Sequence, residues 1–436
     1  MKIEKKLWIT LFVFGLFAIG FSGWIFSQST AREKLLWDNT IRFETKKLTD
    51  GEIKSENIAL PEDFDDPRSI LFKTTHTIAE VWLDREKIYE YGNEEDAPSF
   101  MKSPGSCWHI VNIPEDSAGK SLEVRIIPVY DNYYGNEVSI VYGTRGNCVL
   151  KILMDSFKTL LLSCGILFAS IICLLLYLGA VRRKRRDETE TKIEVFLNLG
   201  FFSLLIAVWT LAQCGFLQFL IPDGRTLYFV DYFSFFLFPV PFNFLLYDIC
   251  KSRYHKGALI FPILYLANMA ADVLLQCTGI IDIFRLLPAT HVIMVANAVY
   301  TVALILYEAR KEGNDEAKKF QYPMCVLIVF GMAEMFLYYL REFQQTSILL
   351  PIGTLLFIIM LIWIQVSQYY DQYIQKQKVI YLQKIANMDM LTEAMNRNAY
   401  EDMVKYLDES DIKLRTTGVV LFDLDNLKVI NDNFGH

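Results

Sequence analysis

The chain has 436 residues, 53% of them hydrophobic and 14% aromatic, with 21% charged and a formal net charge of -7. A charged share below the ~25% of an ordinary soluble domain, in so apolar a chain, excludes intrinsic disorder and a small disulfide scaffold and places part of the chain in lipid. The acidic balance, with no basic stripe to follow a phosphate backbone, makes no case for nucleic acid as a partner, and eight cysteines are too sparse for a disulfide framework.

The first apolar stretch covers residues 7–26 and follows Lys2, Lys5 and Lys6. Its length suits an uncleaved anchor. The basic start and Ser29-Thr30-Ala31 also fit a cleavable signal peptide. Residues 1–31 are the anchor or signal segment on either reading.

Residues 32–150 read as an all-β sandwich. In Leu122-Glu123-Val124-Arg125-Ile126 the apolar residues stand two apart, so one face is buried. Val81-Trp82-Leu83 and Ile88-Tyr89-Glu90-Tyr91 flank Asp84-Arg85-Glu86-Lys87 as a hairpin. Val138-Ser139-Ile140 is a further short strand, and Asp66-Pro67, Ser103-Pro104-Gly105 and Tyr134-Gly135 are turn signals. Thr75-His76, Trp82-Leu83-Asp84 and Lys102-Ser103-Pro104-Gly105-Ser106-Cys107-Trp108-His109 resemble the jelly-roll, galactose-binding-like ectodomains that precede seven-span bacterial receptors. The resemblance implies a small molecule or sugar held at loop ends, with Trp108, Tyr130, Tyr133 and Tyr134 able to stack on it. The plainer reading makes Trp108 a core residue. Cys107 and Cys148 are the two outside cysteines; an oxidising compartment permits a bridge between them, but spacing does not place one.

Seven more apolar stretches approach or exceed the ~20 residues that cross a bilayer. They lie at 159–181, 195–220, 228–247, 257–278, 287–307, 320–340 and 347–366, and make a transmembrane bundle over 152–367. Arg182 to Arg186 follow the second of the eight spans, Lys251, Arg253 and Lys256 the fourth, and Arg310, Lys311, Lys318 and Lys319 the sixth. Under strict alternation all three clusters share one side, which the positive-inside rule makes cytoplasmic. The sandwich is then outside and everything past about 367 inside, in a multi-pass protein of a bacterial plasma membrane. Asp231, Asp248, Asp272, His291 and Glu334 sit in or near spans, either as ligand or coupling groups or as interhelical hydrogen-bonding residues. No pair of short, broken helices points to a carrier.

The last span continues into a polar helix over 368–388 with no Pro or Gly. Ile374, Tyr381 and Met388 stand seven apart, supported by Ile385. That stripe is a short coiled-coil seam pairing two copies into a homodimer, or an ordinary amphipathic face.

Residues 389–436 form an α/β fragment. A buried-strand pattern, Gly418-Val419-Val420-Leu421-Phe422, leads into Asp423-Leu424-Asp425. One carboxylate and one backbone carbonyl there suit Mg²⁺, which keeps its other positions for phosphate and water. Asn431 offers donor and acceptor to a purine edge. Alone, an Asp-x-Asp after a strand is more often a turn-and-cap pair. Together, Asp389-x-Leu391-Thr392, Asn396-Arg397, Phe422-Asp423-x-Asp425, Lys428-x-Ile430-Asn431-Asp432 and Gly435-His436 resemble the start of the GGDEF domain, the diguanylate cyclase family.

That resemblance implies a palm-like fold. It implies Mg²⁺ on Asp423 and the Leu424 carbonyl, Asn426 and Lys428 beside phosphates, and Asn431 on the guanine of GTP. Asp389 and Arg397 would anchor the leading helix. Glu393 and Asn398 depart from the family pattern away from the chemistry. The Gly-Gly-Asp/Glu-Glu-Phe loop, which cradles phosphate and brings the second metal carboxylate, is not among these residues. The chain to His436 is therefore expected to hold no complete catalytic set, to be inactive alone and to pack poorly in its terminal segment. The fold class is thus a multidomain membrane protein: extracellular all-β sandwich, α-helical transmembrane bundle and cytoplasmic α/β fragment. The function expected is a receptor for an outside ligand coupled to a cyclase that joins two GTP into cyclic di-GMP. A receptor with a degenerate, nucleotide- or partner-binding domain, and a carrier with an appended domain, are the alternatives.

Overall fold

The computed structural model describes residues 40–44, 55–59, 68–93, 98–130, 137–184, 194–340, 348–389, 392, 394–409, 418, 420–423 and 425–435. The apolar stretch 7–26, Tyr133, Tyr134 and Leu424 lie outside the described residues. Two compact units divide the chain, Met1–Leu361 and Ile362–His436.

Among the described residues the first unit opens with eight strands: β1 (Thr40–Glu44), β2 (Ser55–Ala59), β3 (Arg68–Thr75), β4 (Thr77–Leu83), β5 (Glu86–Tyr91), β6 (Ser106–Asn112), β7 (Ser121–Pro128) and β8 (Glu137–Thr144). They form two antiparallel sheets, ordered β1-β8-β3-β6 and β2-β7-β4-β5, which is the jelly-roll arrangement. The expected hairpin is β4–β5, turning through Asp84 and Arg85, both at positive φ (46° and 88°). Alternation sorts the side chains. Ile70, Phe72, Ala79, Val81, Val111 and Val124 fill the space between the sheets.

His109 points into the same space, with Thr74 Oγ1 at 2.7 Å and Tyr89 Oη at 2.8 Å from its two ring nitrogens. Burial pushes its pKa down to about 3. The opposite face of the first sheet is also buried, because Leu71 and Val141 pack on Cys148 and Ile152 of the helix that follows.

That two-sided burial decides the cysteines. Cys107 stands beside His109 between the sheets, with burial pushing its thiol up to about 12. Cys148 lies across the sheet and donates to the Ser69 carbonyl. Both are free thiols, so the permitted Cys107–Cys148 bridge does not form.

Helices α1 (Arg145–Lys184), α2 (Glu194–Gln213), α3 (Gly224–Leu237), α4 (Pro239–Ile249), α5 (Ile260–Cys277), α6 (Ile283–Arg310), α7 (Asp315–Leu340) and α8 (Leu349–Asn387) follow. Among the described residues they provide seven segments long and apolar enough to cross a membrane, matching the seven later stretches of the sequence. The protein is multi-pass. One span, Gly224–Ile249, is broken where the sequence reads as continuous. Pro239 has no N–H to extend α3, and its fixed φ starts α4 instead. The Asn243 amide then takes the Pro239 carbonyl at 2.8 Å.

The α4–α5 and α6–α7 connections meet at one end. Glu308 accepts from the backbone N–H groups of Lys251 and Ser252 (2.9 and 2.6 Å), and Asn314 donates to the Ile249 carbonyl at 3.0 Å. The sandwich docks on the opposite end. The Gln218 side chain accepts from Trp108 N–H and donates to Trp108 C=O (2.7 and 2.6 Å). Tyr130 donates to Asp282 at 2.7 Å, and Gln276 to the Phe100 carbonyl at 2.5 Å. This end-for-end separation is what strict alternation of the spans requires.

The second unit holds the rest of α8, then α9 (Arg397–Glu409) and α10 (Leu427–Phe434). The buried strand expected over 418–422 is corrected. Residues 418 and 420–422 have no regular structure, and Leu421 and Phe422 are 92% and 90% exposed. A strand exists only where a neighbour takes its backbone hydrogen bonds, and no described strand lies beside this one.

Candidate functional site

The C-terminal site is built outward from the end of α8. Asp389 Oδ1 accepts from the Thr392 N–H and hydroxyl (2.9 and 3.0 Å), and Asp389 N–H donates to the Ala394 carbonyl. Asp389 thus closes the turn after α8. The tie back to that helix comes from Asn396 rather than Arg397. The Asn396 amide donates to the Ala386 carbonyl at 2.7 Å, while its Oδ1 caps α9 by accepting from Ala399 N–H at 3.1 Å. Arg397 pairs with Glu401 at 2.9 Å on its own helix. The signal for Asn396 was present in the sequence as an N-cap residue opening an apolar-periodic stretch.

Asp423, Asp425, Asn426 and Lys428 are exposed, and Asn431 is half-buried. Asn426 adopts the left-handed conformation (φ 54°, ψ 25°), which asparagine tolerates, and this turns the chain into α10. Lys428 and Asn431, three apart on that helix, share a face. The structure therefore puts Asn426, Lys428 and Asn431 on one turn-plus-helix unit directly after Asp423. It does not gather carboxylates: among the described residues no three His, Cys, Asp or Glu converge as a metal site. Asp423 has the oxygen-donor chemistry a hard divalent cation takes. By itself it offers one carboxylate, fewer oxygen donors than such a cation takes.

Inside the bundle each predicted polar group has a hydrogen-bond partner. Asp248 accepts from Asn198 at 2.7 Å. Asp272 accepts from Asn268 at 2.8 Å, and Asn268 reaches on to Thr290 of α6 at 2.9 Å. His291 Nδ1 is 2.8 Å from Tyr339 Oη. Asp231 accepts from Gln213 at 3.0 Å. Glu334 accepts from Ile348, Leu349 and Leu350 N–H, which capture the first turn of α8. Three of these residues, Asp231, His291 and Glu334, also line a cavity of about 170 Å³.

Trp108 and Tyr130 have other work than a loop-end site. Trp108 is held by Gln218, and Tyr130 is 3% exposed and stacks on Phe284 with ring centres 5.0 Å apart. Both are contacts between sandwich and bundle. The docking partners Gln218, Gln276 and Asp282 carried no motif, and only their span-end positions set them apart.

Compared with known families, residues 386–436 match the family described as diguanylate cyclase, GGDEF domain. This is a family that takes GTP as substrate and depends on metal. No curated protein matches the chain.

Proposed function

We propose that the protein is a signal-transducing receptor of a bacterial plasma membrane. Residues 32–150 lie outside, 152–367 span the bilayer, 368–388 relay, and 389–436 begin a diguanylate cyclase domain. The observation that carries the reading is α8. It is one helix from Leu349, inside a membrane span, to Asn387, within the family match. The same helix thus belongs both to a membrane span and to the segment that leads into the matched residues.

The reaction attributed to the domain joins two GTP into cyclic di-GMP and releases two pyrophosphates. Mg²⁺, when bound, neutralises phosphate charge. Asp423 and the Leu424 carbonyl hold it, Asn426 and Lys428 run beside the phosphates, and Asn431 orients guanine. Catalysis of this kind is mostly positioning and charge neutralisation. The chain through His436 supplies one metal carboxylate and, alone, makes no cyclic di-GMP. A degenerate domain that binds nucleotide or a partner is the second reading.

The test is GTP turnover in lipid nanodiscs by the product of the whole reading frame. Cyclic di-GMP formation that is lost in Asp423→Ala supports the cyclase. Formation unchanged in Asp423→Ala overturns the assigned role of Asp423. GTP binding without product supports the degenerate domain.

A further inference from the structure

The cavity in the bundle is chemically one-sided. Asp231 and Glu334 line it, aromatic rings make up much of the rest, and no lysine or arginine lines it among the described residues. Glu334 is engaged by three backbone N–H groups at the positive end of α8. Asp231 has a different setting. It is 8% exposed and accepts from Gln213, a neutral amide.

One helical turn away from this pair lies an aromatic pair. Trp209 precedes Gln213 by four residues on α2, and Phe235 follows Asp231 by four on α3, with ring centres 5.6 Å apart. On its other side Asp231 borders a smaller cavity of about 30 Å³ beneath the sandwich, lined also by Lys73 and Trp108. Lys73 interacts electrostatically with Asp155.

A carboxylate within a turn of two aromatic rings is what an organic cation requires. The carboxylate supplies the charge, and the ring faces add cation–π attraction that grows as water is excluded. A bare metal ion needs more oxygen donors than this wall offers, and two carboxylates repel an anion. A cavity of about 150 Å³ with apolar walls takes benzene, so this one suits a single ring carrying a small cationic group.

We propose that this cavity binds a compact aromatic or apolar amine or quaternary ammonium ion, its charge on Asp231 and its cationic methyl or N–H groups against Trp209 and Phe235. The site needs neither an outside ligand nor a working cyclase, and so goes beyond the receptor reading. Because Leu350 and Glu334 also line the cavity, an occupant touches the start of α8.

The experiment titrates benzyltrimethylammonium into the full chain in nanodiscs, by calorimetry, against empty nanodiscs and the neutral isostere neopentylbenzene. Saturable one-to-one binding is expected, weakened at least about tenfold in Asp231→Asn, as loss of a charged partner implies. Trp209→Leu should weaken it several-fold. Met294→Trp, which fills the cavity and leaves Asp231 in place, should abolish it, and serves if Asp231→Asn does not fold. Uptake no greater than by empty nanodiscs, equal affinity for neopentylbenzene, or undiminished binding by Asp231→Asn or Met294→Trp would each overturn the proposal.

Discussion

His109 shows how a single side chain sets the acid sensitivity of the sandwich. Buried between the sheets, its ring stays neutral down to about pH 3, whereas an ordinary histidine takes a proton near pH 6.5. His76, at the docked end, is likewise held to about 3, burial outweighing the attraction of Asp282. Below pH 6.5 the unfolded chain binds protons that the folded chain refuses. Stability is therefore whole above that pH and falls on acidification toward pH 3, by about 1.4 kcal/mol per pH unit for each histidine. Thermal melting between pH 7 and pH 4 should show this slope, and His109→Gln should reduce it by about half, leaving the share of His76. A slope unchanged in His109→Gln would exclude this residue as a source. The sequence showed His109 only as a letter in a motif; its neutrality comes from Phe72, Tyr89 and Tyr91 packed around it.

At the scale of elements, α8 is the decisive one. Its N-terminus has no side-chain cap of its own in the usual position, and Glu334 of α7 performs that task from a distance. Removing the carboxylate leaves buried N–H groups without it, at roughly 1–3 kcal/mol. Glu334→Ala should therefore melt measurably below the wild type, and Glu334→Gln, which keeps an acceptor, should lie between. Equal melting of all three would show that the cap contributes nothing. Further along the helix, Ile374 and Tyr381 are 42% and 60% exposed, as an unpaired seam would be. If they form the dimer seam, Ile374→Cys and Tyr381→Cys should cross-link across two copies in membranes far more readily than Lys376→Cys, which is off the stripe. Equal cross-linking at all three positions would favour the ordinary amphipathic helix.

At the largest scale, the first unit is organised by the docking of sandwich on bundle. Gly105, at φ 85°, lies so close to Gly224 that a Cβ on it would come within 2.2 Å of the Gly224 carbonyl oxygen. Backbone meets backbone here, and neither can yield. The Gly105 carbonyl also accepts from His76 N–H, and His76 Nδ1 lies 2.7 Å from Ser103 Oγ. The loop from Lys102 to Gly105 and the start of β6 as far as Trp108 therefore form a docking edge. Gly105→Ala should loosen the junction and speed proteolysis between residues 130 and 145, with the helix content of the membrane part retained. Unchanged proteolysis would mean the junction tolerates separation. For the same reason the sandwich alone would expose Leu71 and Val141, and ligand trials belong on the full chain.

What the sequence by itself determined is everything encoded by a local period. Twenty apolar residues in a row answer to the thickness of hydrocarbon, alternation at 122–126 answers to the pleat of a strand, and Asp389-x-Leu391-Thr392 closes its own turn. Tertiary structure decided what depends on segments far apart in the chain. It put Cys107 and Cys148 on opposite faces of one sheet, gave Trp108 to Gln218, and broke a span at Pro239 beside a cavity walled by seven helices. It left residues 418 and 420–422 with no described strand beside them. A periodic pattern states which face of an element seeks burial, but the partner that buries it comes from distant residues, and only the folded chain selects it.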